Sequence, residues 1–218
     1  MNAPKNLGIV FVMAGTALML SALSLFFYNQ YQDAQAGRQA ENLLADVQAV
    51  IKEKRRLSPP SQEDPAKALD PELPVAEING YGSVGYLSIP ELGLELPVMS
   101  EWDDTRLKIA PCRQFGSSRT DDLVIAAHNY KNHFGQLFKL EVGSRVAFTD
   151  MDGVENLYEA AFIDTLAPTE VEAVQNSDYD LVLYTCTFDG QSRVTVFCNR
   201  LVDSALPVPS IEGDAAFE

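Results

Sequence analysis

One cysteine and one histidine each stand where a run of strand-forming residues ends. Cys186 closes the stretch LVLYTC, residues 181–186, and His128 follows the apolar run LVIAA, residues 123–127. Side chains at strand ends can face a cleft, and residues far apart in the chain can meet there. A thiolate is the reactive form of cysteine, so a nucleophilic cysteine needs a proton partner such as imidazole. The pair therefore predicts nucleophilic catalysis.

Arg193 is the third candidate, because it follows the turn signal Asp189-Gly190 that comes shortly after Cys186. A tight hairpin brings the start of one strand beside the end of the other. Attack on an acyl carbon puts negative charge on its oxygen, and a guanidinium offers fixed positive charge with several donors. We expect Arg193 to lie beside Cys186. A surface arginine on a strand is the alternative.

Each of these residues has an inert alternative. Cys186 could be a buried structural thiol, and His128 could be a hydrogen-bonded histidine that caps its loop. His133 is the other histidine and lies in the polar segment KNHFG. We expect His133 to be a solvent-exposed surface residue without a catalytic role.

Metal and cofactor sites are not predicted. Two histidines offer none of the usual zinc-ligand spacings. Calcium at Asp103 and Asp104, or at Asp121 and Asp122, stays open, although solvated loop charge is the preferred interpretation.

The three cysteines of the chain are Cys112, Cys186 and Cys198. An odd number outside the cell means that one thiol stays free or pairs between chains. Cys112 and Cys198 could form a disulfide or remain buried thiols, and we favour buried thiols.

An uncharged stretch near the N-terminus, LGIVFVMAGTALMLSALSLFFY, runs from Leu7 to Tyr28. About 20 apolar residues in a helix span a bilayer, so we assign residues 1–28 to a cytoplasmic tip and a transmembrane anchor. A cleaved signal peptide is the alternative, with AQA at 34–36 as a weak cleavage site. The positive groups before the span are Lys5 and the amino terminus, so the positive-inside tendency places the remaining chain outside the cell.

The next segments link this anchor to a folded domain. Residues 29–57 are predicted to form a juxtamembrane helix, because apolar residues recur at helical spacing: Leu43, Leu44, Val47, Val50 and Ile51. This helix can pack on the domain, pair with another chain or stand as a stalk. Residues 58–78 are a proline-rich linker, residues 79–204 the catalytic domain, and residues 205–218 a disordered acidic tail.

Strand patterns fill the predicted domain. Alternating or apolar runs occur in LGLELPV, DLVIAA, DLVLYTC and RVTVFCNRLV, and turn signals at Asp152-Gly153 and Asp189-Gly190 predict two hairpins. One short helix is expected between His128 and Gly143. This density of strands favours an all-β sandwich or barrel. The net charge of −15 would repel nucleic acid, so no nucleic-acid partner is predicted.

These residues together resemble the sortases, the surface-protein transpeptidases of Gram-positive bacteria. Residues 182–186 match the family motif Thr-Leu-x-Thr-Cys except that Val182 replaces the first threonine, a β-branched substitution that suits a strand. The family order of His, Cys and Arg is kept by His128, Cys186 and Arg193. The resemblance covers residues 82–201.

The resemblance implies a closed eight-stranded β-barrel with short helices and a groove for an extended peptide. It implies a membrane-anchored enzyme that cleaves a sorting-signal peptide, forms a thioacyl-enzyme and passes the acyl group to an amine. Thr185 and Asn129 would help to bind the substrate. The implied partners are surface-protein or pilin precursors, and an amine acceptor from a cell-wall precursor or a pilin lysine.

The subclass is predicted to be class B, from the His128-Asn129 pair, the helical N-terminal extension and the single span. The lid anchor of class C, Asp-Pro followed by an aromatic residue, does not match Asp64-Pro65-Ala66 or Asp70-Pro71-Glu72. Class D stays open. Two rival functions also remain: an anchored thiol hydrolase or protease, and a noncatalytic extracellular binding domain.

Overall fold

The computed structural model describes residues 5–57, 70–170, 174–187 and 189–201. The predicted acidic tail, residues 205–218, lies outside the described residues. Among the described residues, one long α-helix, α1 (Lys5–Leu57), precedes nine β-strands. The strands are β1 (Ala76–Ile78), β2 (Tyr81–Ile89), β3 (Leu94–Met99), β4 (Cys112–Phe115), β5 (Leu123–Ala126), β6 (Arg145–Asp150), β7 (Glu155–Leu166), β8 (Leu181–Cys186) and β9 (Arg193–Arg200).

The sheet closes on itself. Its strand order is β1-β2-β3-β4-β5-β8-β9-β7-β6, and β6 also pairs with β2, so that β2 to β9 form a ring of eight strands. The short strand β1 pairs with the first part of β2 outside this ring. The prediction of a closed eight-stranded β-barrel is confirmed.

The two predicted hairpins are present. β6 and β7 pair antiparallel around Asp152-Gly153, and β8 and β9 pair antiparallel around Asp189-Gly190. The expected short helix between His128 and Gly143 is only a 3₁₀ turn, Leu137–Lys139. Two further 3₁₀ turns are Pro90–Leu92 and Arg106–Lys108.

Alternation along β8 separates the barrel interior from its outer face. Leu181 and Leu183 are fully buried in the central core, whereas Val182 and Tyr184 belong to an apolar cluster on the other face. Burial of each such leucine stabilises the fold by about 1.5–3 kcal/mol. The period of two therefore places Cys186, at the end of the strand, on the same outer face as Tyr184.

Helix α1 is continuous through both the predicted anchor and the predicted juxtamembrane helix. Its N-terminal half is exposed along the described side chains and is long and apolar enough to be a candidate membrane span. Its C-terminal half packs on the barrel and buries one apolar face: Ala36, Ala40, Leu43, Leu44, Val47 and Ile51. Of the three arrangements considered for this helix, packing on the domain is the one observed.

Polar contacts fasten the packed half of α1. Asn79 Nδ2 lies 2.7 Å from Asp46, and Lys54 Nζ lies 2.5 Å from Asp152. The C-terminal part of the predicted linker, residues 70–78, also lies on the barrel, where Leu73 is buried in the core and β1 forms.

Candidate active site

Cys186 and Arg193 face each other across the β8–β9 hairpin. They are the last residue pair in its antiparallel register. This is the arrangement predicted from the turn signal between them. The Cys186 side chain is partly exposed, whereas Cys112 and Cys198 are buried and unpaired.

Burial keeps the thiols of Cys112 and Cys198 from acting as nucleophiles. It raises the pKa of both Cys112 and Cys198 to about 12, so each stays protonated near neutral pH. The expectation that they remain buried thiols agrees with their free, buried state. Cys186 is therefore the accessible sulfur among the three.

Contacts on either side of His128 join the end of β5 to the end of β8, so His128 lies at the edge of the barrel where Cys186 ends β8. The hydroxyl of Thr185 donates to the carbonyl of Ala127 at 2.8 Å. The side chain of Asn129 donates to the carbonyl of Thr187 at 3.3 Å. The parallel pairing of β5 with β8 makes this possible, since both strands end at the same edge of the barrel.

The surroundings of His128 favour its neutral form. Burial lowers the pKa of His128 below its ordinary value, and the ammonium of Lys108 acts in the same direction. The carboxylate of Asp104 opposes both effects. Lys108 and Asp104, which both lie between β3 and β4, therefore shift the pKa of His128 in opposite directions.

Arg193 is held by the turn that precedes it. Its guanidinium donates to the carbonyls of Gly190 at 3.3 Å and Ser192 at 3.0 Å. Thr187 stabilises the same turn by bonding Asp189 and Ser192. The guanidinium is half-buried and keeps unused N–H donors. The turn orients it at the end of the barrel where the Cys186 thiol lies.

Thr185 and Asn129, the two predicted substrate-binding residues, both bridge β5 and β8 in this structure. The Thr185 side chain is only 3% exposed and its hydroxyl is engaged with Ala127, so its backbone is the part available to a ligand. Asn129 is half-buried and engaged with Thr187.

His133 corrects one expectation. It was predicted to be an exposed surface residue, but its side chain is fully buried. Neither ring nitrogen has a hydrogen-bond partner among the described residues, although the backbone of Ala36 and Ile109 approaches the ring. Burial lowers the pKa of His133 to about 4. The polar neighbours in the sequence misled the prediction, because helix α1 covers this loop.

The rings of His128, Tyr130 and His133 pack in series and link His128 to the region covered by helix α1. The ring centroids of His128 and Tyr130 are 4.9 Å apart, and those of Tyr130 and His133 are 5.5 Å apart. Sequence reasoning missed Tyr130, since nothing in its spacing signals a contact with either histidine.

The outer face beside Cys186 continues into a cavity. Tyr184, which shares this face, donates its hydroxyl to Gln114 at 2.5 Å. Beyond Gln114 lies a cavity of about 740 Å³ whose lining includes Trp102, Arg113 and Phe115. The period-two pattern of β8 could have identified Tyr184, but the contribution of β4 depends on the barrel.

Two of the four carboxylates considered for calcium form salt bridges. Asp103 pairs with Arg106, and Asp121 pairs with Arg200 at 2.5 Å. Among the described residues, no group of three potential ligands gathers into a metal site.

Comparison with known proteins bears on the family and the fold of this chain. The family model for the sortase domain matches residues 87–201, which is more than half of the chain. A comparison with curated protein sequences found no significant match.

Several solved structures share the fold. The sortase D5 transpeptidase of Clostridium perfringens has a TM-score of 0.56 at 18% identity, covering 76% of this chain and 99% of that one. Sortase C of Streptococcus pneumoniae has a TM-score of 0.52 at 24% identity, with coverages of 75% and 96%. Sortase A of Corynebacterium diphtheriae has a TM-score of 0.52 at 19% identity, with coverages of 84% and 99%. These neighbours are of types A, C and D, so the assignment to class B stays a prediction.

The barrel topology, the thiol, imidazole and guanidinium at one of its ends, and the match over residues 87–201 lead to one conclusion: this chain belongs to the sortase family.

Proposed function

We propose that the protein is a membrane-anchored cysteine transpeptidase. It cleaves a sorting-signal peptide, forms a thioacyl-enzyme and transfers the acyl group to an amine of the cell wall or of a pilin. The observation that carries the proposal is the pair of contacts, Thr185 to Ala127 and Asn129 to Thr187, that joins the chain around His128 to the end of β8, where Cys186 lies. Membership in a family of cysteine transpeptidases supports it.

Cys186 is the nucleophile of the proposed reaction. Its sulfur attacks the carbonyl carbon of the scissile peptide bond, and the carbon–nitrogen bond then breaks to leave a thioester. Neutral His128 takes the proton of the thiol as the sulfur attacks, and the imidazolium formed in this way gives that proton to the departing amine. General acid catalysis of this kind accelerates such a step by about 10²–10⁴-fold. An incoming amine then attacks the thioester, and the sulfur leaves as thiolate.

Arg193 stabilises the carbonyl oxygen while negative charge develops on it. The backbone of Arg193 pairs directly with that of Cys186 across the hairpin. Hydrogen bonds from its guanidinium to the Gly190 and Ser192 carbonyls limit the orientation of the side chain. Preorganised donors of this kind need little reorganisation during the reaction. Thr185 contributes through its backbone, and Asn129 through the loop that it tethers.

The outer face of β8 and β4 suits an extended peptide as substrate. Tyr184 and Gln114 lie between Cys186 and the cavity beside Trp102, so one strand of peptide can run along this face. The substrates we propose are surface-protein or pilin precursors that carry a sorting signal. The acceptor is the amine of a cell-wall precursor or a pilin lysine.

The proposed location is the cell membrane, with a single span and an extracellular catalytic domain. Helix α1 supplies the span by its length and apolar composition. The positive groups before the span, Lys5 and the amino terminus, support this orientation.

Intact-protein mass spectrometry with a library of sorting peptides tests the proposal. The wild type should gain the mass of an acyl fragment, the Cys186→Ala variant should gain none, and the Cys112→Ala variant should behave as the wild type does. Added amine nucleophile should divert the thioester from hydrolysis to ligation. Hydrolysis unaffected by amine would favour a thiol protease, and a Cys186→Ala variant that still forms an adduct would refute the assignment of the nucleophile.

A further inference from the structure

The loop between β5 and β6 exposes apolar and basic side chains together. Within residues 130–143, here called the docking loop, Phe138 is 65% exposed and Val142 is 69% exposed. The ammonium of Lys139 lies 5.9 Å from the centre of the Phe138 ring, and Lys131 is also exposed. Two lysines against one acid in this loop contrast with a chain whose net charge is −15.

The exposed residues are held on a rigid base. Leu137 and Leu140, on either side of Phe138 and Lys139, are buried in the barrel core. The loop therefore cannot fold Phe138 inward without removing core side chains. The Phe138 ring is therefore held at the surface, where it is available to a partner.

Helix α1 fixes the position of the docking loop. The side chain of Asn132 donates to the carbonyl of Asp33, and its backbone N–H to the Asp33 carboxylate, both at 3.4 Å. Gly37 allows this approach, because a Cβ atom there would lie 2.7 Å from the Asn132 side-chain nitrogen. The loop and the helix therefore touch directly, without a spacer.

This contact lies close to the end of the candidate membrane span. The apolar run ends at Tyr28, and Asp33 follows five residues later, about 7.5 Å along the helix axis. Each headgroup layer of a bilayer is about 5–8 Å thick. The exposed aromatic residues Phe26, Phe27, Tyr28 and Tyr31 mark the same boundary. The docking loop thus starts at the depth of the lipid headgroups.

We propose that the docking loop is a membrane-binding surface that holds the end of the barrel carrying Cys186 against the outer leaflet. Phe138 and Val142 insert among the headgroups, and Lys131 and Lys139 bind anionic lipid phosphates. The partner is the bilayer that holds α1, because the same helix carries both the span and the loop contact. His128 lies two residues before this loop, so the thiol would be close to the bilayer surface and within reach of membrane-held substrates. The proposal rests on the proposed membrane span.

Fluorescence quenching in nanodiscs tests it. The full-length protein carries Trp102→Phe to remove its single tryptophan, together with either Phe138→Trp or Leu57→Trp. Leu57 is also exposed, but it lies 29 residues after Tyr28, about 43 Å along the helix axis. Brominated lipid should reduce the fluorescence of the Phe138→Trp variant about twofold and leave that of the Leu57→Trp variant unchanged.

A second comparison tests whether the positive charge of Lys131 and Lys139 contributes to lipid binding. Adding Lys131→Glu and Lys139→Glu to the Phe138→Trp variant should weaken quenching in nanodiscs with anionic lipid, but not in purely zwitterionic ones. Equal quenching with and without these substitutions would overturn the role of the lysines. Absence of quenching in the Phe138→Trp variant, while a Tyr28→Trp variant is quenched, would overturn the docking surface itself, including the case in which a protein partner covers it.

These readouts do not depend on catalysis. Quenching of the Phe138→Trp variant, together with a wild-type protein that forms no thioester, would leave the docking surface intact and refute the proposed enzyme. Unquenched Tyr28→Trp would refute the membrane span, and with it the docking surface.

Discussion

Cys186 and Arg193 form the last residue pair of the β8–β9 hairpin, so the sulfur and the guanidinium start from directly opposed backbone positions. The turn between them contributes two carbonyls, those of Gly190 and Ser192, which orient the guanidinium. A planar fork held in this way can bind an oxygen at a defined place, which a flexible ammonium cannot do.

Arg193→Lys should therefore lower kcat/KM for a sorting peptide about 10²-fold or more, although it keeps the positive charge. Peptide-cleavage kinetics measure the loss. Arg145→Lys is the matched control, because Arg145 also begins a strand but is exposed, and it should have no effect. Full activity in the Arg193→Lys variant would contradict an oriented guanidinium.

The pH dependence of kcat/KM should report the environment of His128. Because burial and Lys108 lower the pKa of His128, the acid limb should have its midpoint below the ordinary imidazole value of about 6.5. Lys108→Gln removes a positive charge and should move this limb to higher pH. Asp104→Asn removes a negative charge and should move it to lower pH. Shifts of the same sign in both variants would show that His128 does not control the limb.

The hydroxyl of Thr185 should matter for both stability and rate. Thr185→Val leaves the buried Ala127 carbonyl without its partner, which should cost about 1–3 kcal/mol in the free energy of unfolding. Loosening of β5 against β8 should also lower kcat. Denaturant unfolding and peptide kinetics test the two effects. Thr165→Val, at an exposed position of β7, provides the control, and identical behaviour of the two variants would contradict the role given to Thr185.

His133 should make the fold sensitive to acid. Its pKa is about 4 in the folded chain, below the ordinary 6.5 expected when the chain is unfolded. The unfolded chain therefore binds more protons between these values, and the free energy of unfolding rises with pH. This contribution is complete above pH 6.5 and is lost as the pH falls to about 4.

Comparison of the wild type with His133→Leu isolates this effect. The wild type should lose roughly 3 kcal/mol more than the variant between pH 6.5 and 4. Leucine also removes two buried nitrogens that lack partners among the described residues, so the variant should be at least as stable as the wild type at pH 7. Parallel pH curves for the two proteins would show that His133 is not buried as the structure has it.

The sequence by itself determined the features that depend on local patterns. The period of two along β8 sets which face carries Cys186, and the Asp189-Gly190 turn predicted that Arg193 would lie opposite it, because strand period and turn chemistry act over a few residues. The order of His128, Cys186 and Arg193 was enough to suggest the family.

Only the tertiary structure decided the features that join distant segments. Helix α1 reaches the loop after His128 through Asp33 and Asn132, residues 99 positions apart in the chain. That contact closes over His133, which polar neighbours had marked as exposed, and it brings the loop after His128 close to the candidate span. The physical reason is that burial depends on what packs above a residue, and no local pattern in the sequence records which remote segment that will be.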